Sequence, residues 1–261
     1  MAAAQGSGTI FLAWILAGIC VFLMSLVYIE LAPAMPQAGG AYNYLREAFG
    51  TKFAYFYGWG KMVNEVAVMA LYALAVTNYL KFFFDLSPVA CKVIGTVVIL
   101  CAAVFNIYGV KQGAAVTSGL TMAKLLGLAV VIVGGLLIFK GGFDFQPVVS
   151  TTVGWKGAIA AAVPAFFAFG GYNQLCYMSE EIKDARKTLP RAILLGISII
   201  IVIYILLTVV CIRTLGVEGL AGSDKAVASA AQAIFGNAGG AVLAVCALAS
   251  ILALSLIHIS E

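Results

Sequence analysis

Long, nearly continuous apolar runs dominate the chain, and short polar connections separate them. A helix needs about 20 apolar residues to cross the hydrocarbon core of a bilayer. Runs of that length predict seven membrane-spanning helices, over residues 10–32, 54–80, 89–109, 113–139, 157–178, 190–213 and 237–256. Strands of membrane barrels show alternating segments of about ten residues, which this sequence lacks. The pattern therefore predicts an all-α, multi-pass transmembrane helix bundle.

Composition supports a lipid environment and argues against several kinds of partner. The chain is 63% hydrophobic and 10% charged, whereas soluble domains are roughly 45–50% apolar and about 25% charged. Its formal charge of +4 is spread out, without the basic stripe that binds nucleic acid. None of the six cysteines forms a CxxC pair, so we interpret them as small hydrophobes. The lipid bilayer is the expected partner of most of the surface.

Orientation follows from the distribution of lysine and arginine, which concentrate in cytoplasmic loops. The densest basic cluster is KDARKTLPR at 183–191. Placing this cluster in the cytoplasm puts the loops at 33–53 and 110–112 on the same side of the membrane. We expect an integral protein of the plasma (cell inner) membrane.

The fifth predicted span contains adjacent glycines, Gly170 and Gly171, followed by Tyr172, Asn173 and Gln174. Glycine costs about 1 kcal/mol relative to alanine inside a helix. Unwound backbone at membrane depth is tolerated only against protein or a water-filled cavity, and broken helices of transporters present their carbonyls to substrates there. Close helix packing through small residues is the alternative. The neighbouring aromatic and amide side chains favour a substrate site.

Lys61 and Lys124 lie well inside predicted spans. Lys124 is about 11 residues into its span, and a charge near the middle of the bilayer indicates a functional role unless the side chain reaches the interface. Lys61 and Glu65 are four residues apart and therefore share a helix face. We interpret them as a structural ion pair, with a place in a translocation path as the alternative.

Catalytic chemistry is not indicated. No set of serine, histidine and acid residues or metal-ligand spacing appears in the spans, and the GSG at 6–8 lacks the strand and the GK[ST] of a phosphate loop. We therefore expect neither an enzyme nor a metal or cofactor.

Three motifs resemble those of one transporter family. YIELAPAMPQAGGAYNYLREAFG at 28–50 resembles the signature after the second helix of amino acid permeases in the amino acid–polyamine–organocation (APC) superfamily. FFAFGGYNQLCYMSEEIKDARKTLPRAI at 166–193 is similar to their sixth helix and the following loop, and FNIYGVKQGAAV with TMAKLLGL is similar to the passage from the fourth to the fifth helix.

This resemblance implies a leucine-transporter-like fold of two inverted five-helix repeats with discontinuous first and sixth helices. The seven spans would be helices two to eight, so the chain is expected to be an incomplete permease domain over 1–254. Residues 255–261, SLIHISE, look like a non-native tail. We give His258 and Glu261 no functional weight.

The resemblance also implies a function and a site. The expected function is secondary active transport of amino acids by alternating access, either proton-coupled or by exchange. Lys124 matches a lysine that replaces a sodium ion in proton-coupled members. Carbonyls of the broken helix would accept hydrogen bonds from the substrate ammonium group. The implied substrate-binding residues are Phe167, Ala168, Phe169, Gly170, Gly171 and Asn173.

Two alternatives remain at this point. A polyamine or amine transporter of the same superfamily would share the fold, but the broken segment contains no acidic residue. A seven-helix receptor would fit the number of spans, although a retinal protein needs a lysine in the last span, which has none. The sequence leaves a partner subunit undetermined.

Overall fold

The computed structural model describes residues 6–81, 83–107, 113–139, 154–177, 179–223 and 225–260. These residues form helices and connecting turns, without strands among them. The helices are α1 (Ser7–Ala34), α2 (Ala41–Phe49), α3 (Thr51–Leu80), α4 (Pro88–Ile107), α5 (Gly113–Leu137), α6 (Gly154–Ala168), α7 (Ala185–Ala221) and α8 (Ala226–Ser260). Two short 3₁₀ turns, Gln174–Cys176 and Ser179–Glu181, lie between α6 and α7. The predicted all-α class is confirmed.

Each of the seven predicted spans contains a helix. The observed bounds differ from the predicted ones where the backbone bends. The last span was predicted to begin at 237, but α8 begins at Ala226 and has a non-helical residue, Gly236, with φ of +75°. The more polar residues before this kink fell below the apolar criterion for a span. α7 has a similar kink at Gly216, with φ of +69°. Among the residues that the structure describes, four helices are long and apolar enough to cross a membrane: α1, α3, α7 and residues 226–251 of α8.

Local signals explain several helix ends. Pro88 is the first residue of α4, where its missing N–H costs nothing. The Ser87 hydroxyl accepts a hydrogen bond from the Ala90 N–H at 3.2 Å and so caps that helix. Glycines flank α2, with φ of +46° at Gly40 and +84° at Gly50, a backbone region that favours glycine. Short sequence signals therefore define these boundaries.

The described chain divides into two compact units. The first comprises residues 1–60, 142–212 and 216–222. In it α1 packs against α6 through small and medium side chains, which allow two helices to approach closely. The buried residues of its main core are Ala17, Val21, Ala32, Ala165, Phe169, Cys176, Leu189, Ile193 and Ile197.

The second unit comprises residues 61–141, 213–215 and 223–261. Here α8 packs against α5 and α4. The Arg213 guanidinium donates hydrogen bonds to the carbonyl oxygens of Leu136 (3.3 Å) and Phe139 (3.0 Å). A cation is favourable at this position, because the last carbonyls of a helix have no partner within the helix. Arg213 thus caps the C-terminal end of α5.

Candidate functional site

The fifth predicted span is broken in the structure near Gly170 and Gly171, as predicted. α6 ends at Ala168, and residues 169–173 form turns. Two backbone hydrogen bonds close the helix, from the N–H of Phe169 to Phe166 (3.2 Å) and from the N–H of Gly170 to Phe167 (3.0 Å). Gly171 follows with φ of +94°. The predicted break is confirmed, and the helical part of this span ends ten residues before its predicted end at 178.

The break leaves main-chain acceptors without donors. The Ala168 carbonyl accepts a hydrogen bond from the Tyr204 hydroxyl at 2.9 Å, and the Gly171 carbonyl accepts one from the N–H of Gln174 at 3.1 Å. In the part of the chain that the structure describes, no donor reaches the carbonyls of Phe169 and Gly170. Each carbonyl oxygen has two lone pairs. The break therefore offers several acceptors for a ligand with N–H groups.

The two phenylalanines of the predicted site have opposite environments. Phe169 is 4% exposed, and its ring packs on Trp14 at 5.6 Å and on Tyr204 at 5.1 Å between centroids. Trp14 and Tyr204 also contact each other, at 4.9 Å. Phe167 is 76% exposed. Phe169 therefore packs the broken segment into the core of the first unit. Phe167, in contrast, is the aromatic ring that a ligand could contact.

Tyrosines lie near the residues that follow the break, an arrangement that the sequence pattern did not predict. Tyr28 of α1 lies 5.7 Å from Tyr172 between ring centroids. The hydroxyls of Tyr57 and Tyr177 are 2.7 Å apart. A single tyrosine within an apolar run was the signal in the sequence for this arrangement, because the hydroxyl of a buried tyrosine usually forms a hydrogen bond. Phenol groups thus lie close to the residues that follow the break.

The predicted cytoplasmic loop at 33–53 contacts the segment that follows the break. The Ser179 hydroxyl is buried and lies 2.9 Å from the Pro36 carbonyl oxygen and 3.3 Å from that of Gln37. Tyr44 of α2 is close to the Cys176 thiol, and burial raises the pKa of its phenol above the ordinary value. Because these contacts join the two loops, they support the prediction that both lie on one side of the membrane.

The predicted ion-coupling residue belongs to the second unit. Lys124 is half-buried on α5, and among the described residues it has no salt bridge. Lys61 and Glu65 form a salt bridge across one turn of α3, which confirms their predicted pairing. The six predicted substrate residues therefore lie together on one segment of the first unit, and Lys124 belongs to the second unit.

Comparison with known proteins identifies the family. Residues 1–260 match the family described as "Amino acid permease". The chain belongs to this family. Its relatives are transporters rather than enzymes, as the sequence analysis expected.

Curated relatives include transporters from bacteria and mammals. The chain is 30% identical over 241 residues to the "Serine/threonine exchanger SteT" of Bacillus subtilis, covering 92% of this chain and 55% of that protein. It is 31% identical over 217 residues to the "b(0,+)-type amino acid transporter 1" of Mus musculus, covering 80% and 45%. With the "Asc-type amino acid transporter 1" of Homo sapiens, the identity is 30% over 250 residues, covering 89% and 47%. The chain spans about half the length of these permeases.

Proposed function

We propose that this permease chain forms part of a secondary transporter that moves amino acids across the plasma membrane by alternating access. The main support is the break after α6, in a chain that belongs to the amino acid permease family. At membrane depth, unpaired carbonyls are costly unless a ligand, water or protein satisfies them. A binding site for an ammonium-bearing substrate accounts for the unpaired carbonyls of Phe169 and Gly170.

The proposed substrate lies against the end of α6. Its α-ammonium group donates hydrogen bonds to the carbonyls of residues 167–170, and its side chain contacts the exposed ring of Phe167. Asn173 completes the site from the far end of the break. No acidic side chain occurs from Phe166 to Tyr177, so the segment itself has no partner for a second cationic group. This favours an amino acid with a neutral side chain over a polyamine.

Lys124 is proposed to couple transport to protons. An ammonium group in a membrane helix can occupy the position of a bound cation, and its charge depends on protonation. Its half-burial on α5 and the absence of a salt bridge among the described residues support this role. Exchange of one amino acid for another, the activity named for the serine/threonine exchanger of Bacillus subtilis, is the other proposed mode.

Uptake into liposomes tests the function. The longest reading frame that contains this sequence would be purified and reconstituted, and uptake of radiolabelled serine, threonine, leucine and putrescine measured. Liposomes would be empty or preloaded with unlabelled substrate, with and without a pH gradient. We expect amino acid uptake, with preloading revealing exchange and the gradient revealing proton coupling. Absence of amino acid flux under all four conditions would contradict the proposal, and uptake of putrescine alone would replace it with polyamine transport.

A further inference from the structure

One side-chain hydrogen bond reaches the end of α6 from a distant part of the sequence. The Tyr204 hydroxyl of α7 donates to the carbonyl oxygen of Ala168 at 2.9 Å, across 36 residues of chain. Ala168 is the last residue of α6, where the carbonyl has no partner within the helix. Tyr204 thus fixes an acceptor at the point where the backbone unwinds.

Packing determines where this hydroxyl lies. The Tyr204 ring is in contact with Phe169 at 5.1 Å and with Trp14 at 4.9 Å between centroids. Aromatic pairs at such distances are stabilising beyond the area they bury, and tyrosine has few rotatable bonds to order. The packing of the ring therefore fixes the position of the phenol, and the hydroxyl forms its hydrogen bond to the Ala168 carbonyl from that position.

The Ala168 carbonyl can accept a second hydrogen bond besides the one from Tyr204. A carbonyl oxygen has two lone pairs, and Tyr204 uses one of them. Ala168 is an exposed residue in the described chain, and the second lone pair of its carbonyl oxygen remains for a ligand. An acceptor that already points in the bound direction loses less conformational freedom on binding, which increases affinity without any new contact.

We propose that Tyr204 is a positioning residue of the transport site, whose hydroxyl holds the Ala168 carbonyl in the direction in which it accepts a hydrogen bond from the substrate α-ammonium group. This inference rests on the proposed function. It assigns a role in substrate affinity to α7, a helix to which neither the sequence motifs nor the resemblance gave a site residue.

The test is Tyr204→Phe in the longest reading frame that contains this sequence. The substitution retains the ring packing and removes only the hydroxyl. We expect the KM for uptake to rise about three- to tenfold, which corresponds to one lost hydrogen bond, while turnover per folded transporter stays within about twofold. The KM should rise less for the N-methyl form of the same amino acid, because its ammonium group has fewer N–H donors.

Thr208→Val is the matched control. The Thr208 hydroxyl lies one turn further along α7 and donates to the Tyr204 carbonyl at 2.8 Å, away from the break. The control should lose a similar amount of thermal stability and keep the wild-type KM. A second readout on purified protein is the amino acid concentration that gives half of the ligand-induced rise in Tm, which should increase in Tyr204→Phe alone.

The outcomes separate the two proposals. An unchanged or lower KM in Tyr204→Phe, or equal losses of turnover in both variants without a change in KM, would overturn the positioning role and leave amino acid transport intact. A wild-type protein that transports no amino acid would refute the proposed function itself, and the positioning role with it.

Discussion

At the end of α6, Gly171 has φ of +94° and the helix stops. At the contact between α5 and α8, Gly134 and Gly239 remain helical, and Phe235 fills the space that their side chains would occupy. A Cβ at Gly171 would meet only Gln174 Cγ, at 4.0 Å, whereas one at Gly134 would overlap the Phe235 ring. The same residue type thus serves backbone conformation in one region and close packing in the other. Sequence alone had left these two interpretations of Gly170 and Gly171 open.

The strongest test of this difference is Gly171→Ala. Alanine at φ of +94° is strained by about 1–2 kcal/mol, and relief of the strain would turn the adjacent carbonyls. We expect the initial rate of amino acid uptake per folded transporter to fall by about tenfold or more, with a small loss of thermal stability. Uptake by reconstituted variant and wild-type protein measures this.

Gly236→Ala provides the control for strain alone. Gly236 has φ of +75° and open space around it, so the backbone cost is similar, but α8 resumes directly after the kink. Its uptake should stay within about twofold of wild type. Equal losses of uptake in both variants would mean that the break after α6 is no more sensitive than an ordinary kink.

Gly134→Ala tests the packing region. The added methyl group overlaps the end of the Phe235 ring, and overpacking of this kind costs about 1–3 kcal/mol. The variant should lose thermal stability and keep its KM. Phe235→Leu removes the outer ring atoms and should restore stability in the double variant.

Gly239→Ala distinguishes packing from a general intolerance of alanine. Its Cβ would overlap the Cβ of Phe235 and lie 3.0 Å from the Ala231 carbonyl oxygen, so Phe235→Leu should give no rescue here. Rescue at both positions, or at neither, would contradict this account of the contact between α5 and α8. Melting curves of the purified variants decide the matter.

Lys124→Gln tests whether α5 has a role in proton coupling in addition to its role in packing. No salt bridge is lost among the described residues, so stability should change by less than about 1 kcal/mol. We expect uptake to lose its stimulation by an imposed pH gradient, because the titratable group is gone. Lys61→Gln, which removes the partner of Glu65, should keep that stimulation. A gradient response that survives in Lys124→Gln would exclude the coupling role.

Ser179→Ala should have the smallest effect. It removes a buried hydroxyl that contacts the carbonyls of Pro36 and Gln37, at a cost of about 1 kcal/mol. Thermal melting should show this loss, and the KM should not change, since Ser179 lies beyond the break. A marked rise in KM would show that the substrate site extends to the loops.

Local sequence was sufficient for features that depend on neighbouring residues. The break follows from Gly170 and Gly171, and the ion pair follows from the spacing of Lys61 and Glu65. Each involves residues within about one helical turn, where propensity and spacing determine the outcome.

Contacts between distant segments could not be predicted in the same way. Tyr204 reaches Ala168 across 36 residues and Tyr57 reaches Tyr177 across 120. Both depend on which faces of packed helices meet, and the even hydrophobicity of the spans conceals those faces. The early start of α8 was missed because the residues before Gly236 are helical without being uniformly apolar. The roles of Lys124 and of the six substrate residues stay predictions.

The acceptors at the end of α6 are main-chain atoms, and this has an evolutionary consequence. Every amino acid residue carries the same carbonyl group, so substitutions at Phe167 or Ala168 that keep the break leave the proposed anchor for an ammonium group in place. The side chains around it can then diverge in size and polarity without loss of that anchor. In the proposed transporter, single substitutions can therefore change which amino acid is preferred.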